Sequence, residues 1–168
     1  ENGDRITELE RLRGIARSIE GFQTRADMLH APVATLDALV VILRSPGCYW
    51  SKKSGCLMCG YNNDCLDSVT PENLMTQFEK AMEKYDDQRY IKIYNSGSFL
   101  DPNEVEPGAQ ERILDMAGQK AEKVLVESRP EFVSRESLER AFSKVGKLEV
   151  AIGLETADDE LRCGSINK

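Results

Sequence analysis

Leu39-Val40-Val41-Ile42-Leu43 is a short, unbroken, β-branched run. It leads through Gly47-Cys48-Tyr49-Trp50, Lys52, Lys53 and Gly55 into Cys56-Leu57-Met58-Cys59-Gly60-Tyr61, so three cysteines follow it with the spacing C-x7-C-x2-C. An apolar run of this length suits a strand buried on both faces of a parallel sheet. A cysteine loop then lies at the strand's carboxyl end.

The same alternation continues downstream. Thr70 is a good N-cap with Pro71 at the first helical position, and Leu74, Phe78, Ala81, Met82 and Tyr85 line one helical face. Tyr90 to Asn95 reads as the second strand, followed by a Gly- and Ser-containing loop through Pro102 and a helix carrying Ile113, Leu114 and Ala117. Lys123 to Glu127 is a third strand. Ser134 caps a helix with Leu138, Ala141, Phe142 and Val145, and Leu148 to Leu154 forms a fourth strand ending at Glu155. Upstream, Ile6, Leu9, Leu12, Ala16 and Ile19 recur at helical spacing, with Thr7 and Glu10 as a capping box, before a turn around His30, Ala31 and Pro32.

Strands alternating with helices imply right-handed βαβ units, a parallel sheet, and ligands beyond the carboxyl ends of the strands. The cysteines, Asn95-Ser96-Gly97-Ser98, Glu127-Ser128-Arg129-Pro130 and Gly153-Leu154-Glu155-Thr156 all fall at such ends. Four units do not close an eight-stranded barrel, which takes about 250 residues. The expected fold is therefore α/β, a partial (βα) TIM-like barrel belonging to a longer chain. Residues 1–36 would form an N-terminal helical extension and 37–168 the first part of the barrel.

The totals narrow the chemistry. A chain of 168 residues with 40% hydrophobic content buries one core of ordinary size. A net charge of -7 argues against coating nucleic acid unaided, although an RNA presented by a partner remains compatible. His30 is the only histidine, which sets aside Ser/His/Asp triads and multi-histidine zinc sites. Neither a membrane-length apolar stretch nor a signal-peptide pattern is present, so the cytoplasm is the expected compartment. Five cysteines amid amphipathic patterns point to metal or redox chemistry rather than a disulfide scaffold.

Three readings of the cysteine loop stand side by side. Three thiolates on one loop suit a [4Fe-4S] cluster that keeps one iron open to a substrate or cofactor. A zinc-stabilised scaffold module would need a fourth ligand, for which Cys65 is the nearby candidate. A thioredoxin-like pair would use Cys56 and Cys59 and leave Cys48 without a role.

From about Leu39 onward the chain resembles the radical S-adenosylmethionine (SAM) superfamily. The stretches CYWSKKSGCLMCGY, YNSGSFLDPNEV, VESRPEFV and AIGLET are most similar to the archaeosine-synthase group of the branch that includes the elongator catalytic subunit. The cysteine spacing departs from the superfamily's commoner C-x3-C-x2-C and matches that longer-spaced branch. The resemblance implies that Cys48, Cys56 and Cys59 hold a [4Fe-4S] cluster and that Met58 lies beside the adenine of SAM. It implies that Ser96, Gly97 and Ser98, standing where relatives have Gly-Gly-Glu, receive the methionine amino group. Glu127, Glu155 and Lys168 take the positions of further SAM contacts, with Lys168 suited to the carboxylate. The implied reaction is one-electron cleavage of SAM to a 5′-deoxyadenosyl radical, fed by an external electron donor. That radical would then break a C–N bond of a lysine-bearing 7-deazaguanine in tRNA, a lyase-type reaction, with a lysine transferase as partner subunit. The same residues would equally serve an elongator-type enzyme with another substrate.

Each residue also has a plainer role. Glu127 can pair with Arg129 or Lys92 on a solvated rim, and Glu155 and Lys168 can be surface charges. Cys65 and Cys163 can be inert small residues, and His30 a loop histidine. Tyr49 and Trp50 suit either a lid over the cluster or aromatic core filling.

Overall fold

The structure, a computed structural model, describes Arg11, Ile15 and residues 37–168. The helix expected over 6–19 with its capping box, and the turn at His30, otherwise lie outside the described residues. Arg11 donates to the Val133 carbonyl at 3.2 Å and Ile15 packs against the core.

The chain runs β1 (Ala38–Ile42), α1 (Tyr49–Lys53), α2 (Pro71–Met82), β2 (Tyr90–Tyr94), α3 (Pro107–Gly118), β3 (Lys123–Glu127), α4 (Arg135–Phe142) and β4 (Leu148–Ala151), followed by a π-helical turn, Leu161–Ile166. All strand pairs are parallel and their order is β1-β2-β3-β4. The fold is thus α/β with a four-stranded parallel sheet that stays open; no barrel is closed among the described residues.

Register decides what faces what. Leu39, Ile91, Val124 and Leu148 form one cross-strand row, and Val41, Ile93, Val126 and Val150 another. Sequential right-handed crossovers put the helices over this face. There Ile91, Ile93, Val124 and Val126 are fully buried with Leu74, Phe78, Ile113, Leu114 and Leu138. The alternate rows point the other way, so β1 is buried on one face only: Val40 is 52% and Ile42 64% exposed. The continuous apolar run was expected to be covered on both sides. As an edge strand with helices on one face, it is not.

Local chemistry sets the helix starts. Thr70 accepts from the Asn73 amide while Asn73 returns a bond to the Thr70 amide, and Pro71 fills the first helical position. Ser134 and Ser137 repeat the reciprocal cap on α4. Glu106 caps α3 by accepting from Ala109, a start the periodic pattern did not locate. β4 stops at Ala151, short of the expected Leu154: the Ala151 carbonyl accepts from Ser128, and the chain then turns away through Gly153 and through Glu155 at φ 66°.

Removing Phe78, which no solvent reaches, tests this packing. Phe78→Ala should cost about 3–5 kcal/mol, and Thr70→Ala, which removes only a cap, about 1 kcal/mol. Urea unfolding of the two variants should therefore give clearly different midpoints.

Candidate functional site

The carboxyl ends of the four strands surround one cleft of about 520 Å³. That volume falls within the roughly 300–1,000 Å³ typical of small-molecule and cofactor sites. The loop after β1 contributes Cys48, Cys56, Met58 and Cys59; the turn after β2 contributes Asn95, Ser96 and Gly97. Glu127, Ser128 and Arg129 enter from β3, and Gly153, Glu155 and Lys168 from the chain beyond β4. Of the residues expected to hold the cluster or SAM, only Ser98 does not line this cleft. Its hydroxyl lies beneath, accepting from the Arg129 amide at 3.0 Å.

The cysteine loop is shaped by short-range backbone bonds. Cys48 immediately precedes α1, and its carbonyl accepts from the Lys52 amide and the Ser51 hydroxyl. Gly55 ends that turn at φ 80°, a left-handed conformation open to glycine, with its amide on the Trp50 carbonyl. A second turn, from the Cys59 amide to the Cys56 carbonyl at 3.1 Å, brings these two cysteines back toward the cleft.

Two longer-range contacts hold the loop over the sheet. Arg129 lies 5.5 Å from the ring centres of both Tyr49 and Trp50 and pairs with Glu131 at 2.7 Å, while Tyr49 also donates to Glu131. The two aromatic residues therefore dock α1 on β3, and Trp50 alone of them reaches the cleft. Asn167 makes the other contact. Its side-chain amide donates to the Ser54 hydroxyl and the Gly55 carbonyl, its own carbonyl accepts from the Trp50 indole, and the Ile166 carbonyl next to it accepts from Leu57. No motif marked Asn167; its αL conformation, φ 57°, is visible only in three dimensions.

The turn after β2 is built around Glu104, which is 3% exposed. One oxygen accepts from Ser45, Asn95 and the Gly97 amide, at 2.6, 2.7 and 2.9 Å, and the other accepts from the Ser98 amide at 2.8 Å. Gly97 is pressed between Glu104 and Cys48. A Cβ placed there would lie 2.5 Å from the carboxylate and 2.6 Å from the Cys48 Cβ. Sequence reasoning missed Glu104, although it stands within YNSGSFLDPNEV, because its bonds to Asn95, Gly97 and Ser98 follow no regular spacing and its fourth partner, Ser45, comes from the end of another strand.

Cys65 is separate from the other three loop cysteines. It packs against Gly47, donates to the Tyr61 carbonyl at 3.3 Å and faces a smaller cleft of about 230 Å³. Among the described residues, no three Cys, His, Asp or Glu side chains converge tightly enough for a single metal ion. A tetrahedral zinc would require sulfurs about 4 Å apart; a four-iron cluster takes ligands spread over its corners.

Charge in the cleft is unevenly distributed. Burial pushes the Glu127 carboxyl above the usual glutamate range, with Lys168 opposing and Glu155 reinforcing the effect. Lys168 is ion-paired with Glu155. Arg129 is committed to Glu131, and Lys92 lies 5.0 Å over the Tyr90 ring, so neither expected rim partner is paired with Glu127. Burial likewise raises the Cys56 thiol, countered by Lys168 and Arg129. A larger groove of about 670 Å³, on the helical side near Glu72, Glu106 and Glu111, is shallow and contains none of these features.

No family model and no solved structure matches the chain. Curated proteins do. The chain is similar to an archaeosine synthase subunit beta of Methanosarcina acetivorans, 44% identical over 137 residues, which cover 77% of this chain and 40% of that protein. An uncharacterised protein of Methanocaldococcus jannaschii is 38% identical over 142 residues, 78% of this chain and 39% of its own length. An archaeosine synthase subunit beta of Thermococcus kodakarensis is 34% identical over 140 residues, 78% of this chain and 43% of its own length. The chain spans about two fifths of the length of these curated relatives.

Proposed function

We propose that the chain is the first part of a radical SAM enzyme of archaeosine synthesis, folded as the opening segment of a (βα) barrel. The observation that carries this reading is the cleft itself. Residues chosen for one cofactor, from four separate strand ends, line one cavity of suitable size, and two relatives carry the archaeosine synthase name.

Cys48, Cys56 and Cys59 would hold the [4Fe-4S] cluster. The three thiols line one cleft, as ligands of a shared cluster must, and Cys65, the candidate fourth ligand of a zinc site, faces a different one. When bound, the cluster supplies the electron that cleaves the S–C5′ bond of SAM reductively. The chain's own residues orient and enclose. Met58 and Trp50 offer apolar wall for the adenine, the Asn95–Gly97 turn takes the amino-acid end of SAM, and Lys168 suits its carboxylate. Glu127 and Glu155 offer acceptors for ribose hydroxyls, and Arg129 closes the wall behind Cys48. The substrate would be a lysine-bearing 7-deazaguanine in tRNA, cleaved at a C–N bond, with a lysine transferase partner carrying the tRNA affinity that a charge of -7 denies this chain. An external electron donor completes the system.

Anaerobic reconstitution with iron and sulfide should give a brown protein with four irons per chain that releases 5′-deoxyadenosine from SAM under reducing conditions. Cys48→Ala, Cys56→Ala or Cys59→Ala should each abolish the colour and the product, whereas Cys65→Ala should keep both. A colourless protein with one zinc per chain would overturn the assignment. A brown protein that cleaves SAM but ignores the lysine-modified tRNA would move it to another substrate of the same enzyme class. Gly97→Ala should also lower the iron content, because the added methyl group displaces Cys48.

Glu127 gives a prediction of opposite sign for stability and binding. Its pKa is raised in the folded state, so between the unfolded and folded pKa values the native chain binds more protons, and stability falls as pH rises through that interval. At neutral pH the ionised carboxylate is a net cost. Glu127→Gln should therefore raise the urea midpoint of the cluster-free protein at pH 7, lose that advantage under acid conditions, and weaken SAM binding in equilibrium dialysis.

A further inference from the structure

Arg129-Pro130-Glu131 leaves the carboxyl end of β3 and turns at once: a short 3₁₀ turn spans Pro130–Phe132, and the Phe132 amide donates to the Arg129 carbonyl at 3.2 Å. The turn brings two opposite charges into contact, with Arg129 Nε donating to the Glu131 carboxylate at 2.7 Å. They do not face the same way. Arg129 lines the cleft and its side chain is 17% exposed, whereas Glu131, 36% exposed, is no part of the cleft wall. The pair is a dipole whose positive end is turned toward the cysteines.

Arg129 is anchored on every side. Its amide rests on the Ser98 hydroxyl at 3.0 Å, and its guanidinium lies 5.5 Å from the ring centres of Tyr49 and Trp50, the two residues that follow Cys48. Glu131 is fixed as well, because it also accepts from the Tyr49 hydroxyl at 2.6 Å, while Phe132 packs edge-on against the Tyr49 ring. Docking two aromatic rings on β3 would need no charge. An apolar side chain would do it without the desolvation that a largely buried guanidinium incurs.

Two cations border the cysteines, and they differ in how they are answered. Lys168 is ion-paired with Glu155 inside the cleft wall and stands where the SAM carboxylate would be met, so a bound ligand would use its charge. Among the described residues, the ion pair of Arg129 is to Glu131, on the side away from the cleft. Its charge reaches the thiols: burial pushes the Cys56 thiol up, and Lys168 and Arg129 oppose that rise. A cluster bound by three thiolates is an anion, and local charge is one of the levers that set such a cluster's potential.

We infer that Arg129 raises the reduction potential of the metal centre in this cleft, and that Glu131 is a positioning residue that both aims that charge and attenuates it. The inference rests on the proposed function, in which Cys48, Cys56 and Cys59 hold a cluster. One electron from the external donor adds one negative charge to the cleft and requires no proton. Arg129 stabilises the added charge. Glu131 opposes it more weakly, because it lies outside the cleft wall and Coulomb energy falls with distance. Neutralising the two residues one at a time breaks the same ion pair, yet should move the potential in opposite directions.

The test is a redox titration of the anaerobically reconstituted full-length protein without SAM, followed by electron paramagnetic resonance. Arg129→Gln should shift the midpoint to a more negative potential and Glu131→Gln to a less negative one, with iron content unchanged in both. Arg129→Lys keeps the charge but loses the planar fork, and its midpoint should lie nearer the wild type than that of Arg129→Gln. Midpoints displaced the same way in Arg129→Gln and Glu131→Gln, as a purely mechanical docking role for the ion pair would give, would overturn the inference. So would midpoints unchanged in both, and either result leaves the cluster assignment standing. Should Arg129→Gln lose its iron, a Glu131→Gln midpoint at or below the wild-type value overturns the inference and one above it supports it. A wild-type protein that takes up no cluster would overturn the inference and the proposed function together.

Discussion

A single buried carboxylate holds the cleft together. Glu104 gathers Ser45 from the end of β1 and Asn95, Gly97 and Ser98 from the turn after β2, and the turn it creates sits directly against Cys48. Burying a carboxylate away from water is expensive unless every lone pair is used, and here four donors converge on two oxygens. The cost has a structural consequence: the loops above two neighbouring strands cannot move independently. With Gly97 lacking a side chain, the fixed turn becomes a wall against which the first cysteine is placed.

The other contacts extend that constraint around the loop. Arg129 is held by its amide on Ser98 and presents its guanidinium to Tyr49 and Trp50, so the third strand grips the helix that follows Cys48. Asn167 clamps the far end of the same loop through Trp50, Ser54 and Gly55. A loop that carries three cysteines has little regular structure of its own, and its shape is set by bonds from β2, β3 and the segment after β4. In a parallel sheet only the carboxyl edge offers such a meeting place, because each crossover delivers its loop there.

Much of this was legible in the sequence. The βα alternation, the Thr70 and Ser134 caps and the strand-end position of each motif were visible, since periodicity and capping are local properties. So was the grouping of the cysteines with Gly97, Glu127 and Glu155, because strand ends are brought together by topology alone. What stayed hidden depended on distance in three dimensions. The exposure of Val40 and Ile42 follows from a sheet face that no helix covers among the described residues, which an apolar run does not encode. Glu104 and Asn167 act through partners dozens of residues away in part, and Ser98 was placed with the ligand by its position in the motif although its hydroxyl serves Arg129. Cys65 looked like a fourth ligand by proximity in sequence and is turned into another cleft.

The account's central claim is that three thiols on one loop leave a four-iron cluster with one iron open to SAM. Electron paramagnetic resonance of the reduced, reconstituted protein, recorded before and after adding SAM, tests it most directly. A [4Fe-4S] signal whose g-values shift when SAM is added is the predicted result. A cluster signal indifferent to SAM, or a protein that takes up zinc and gives no signal, would contradict it.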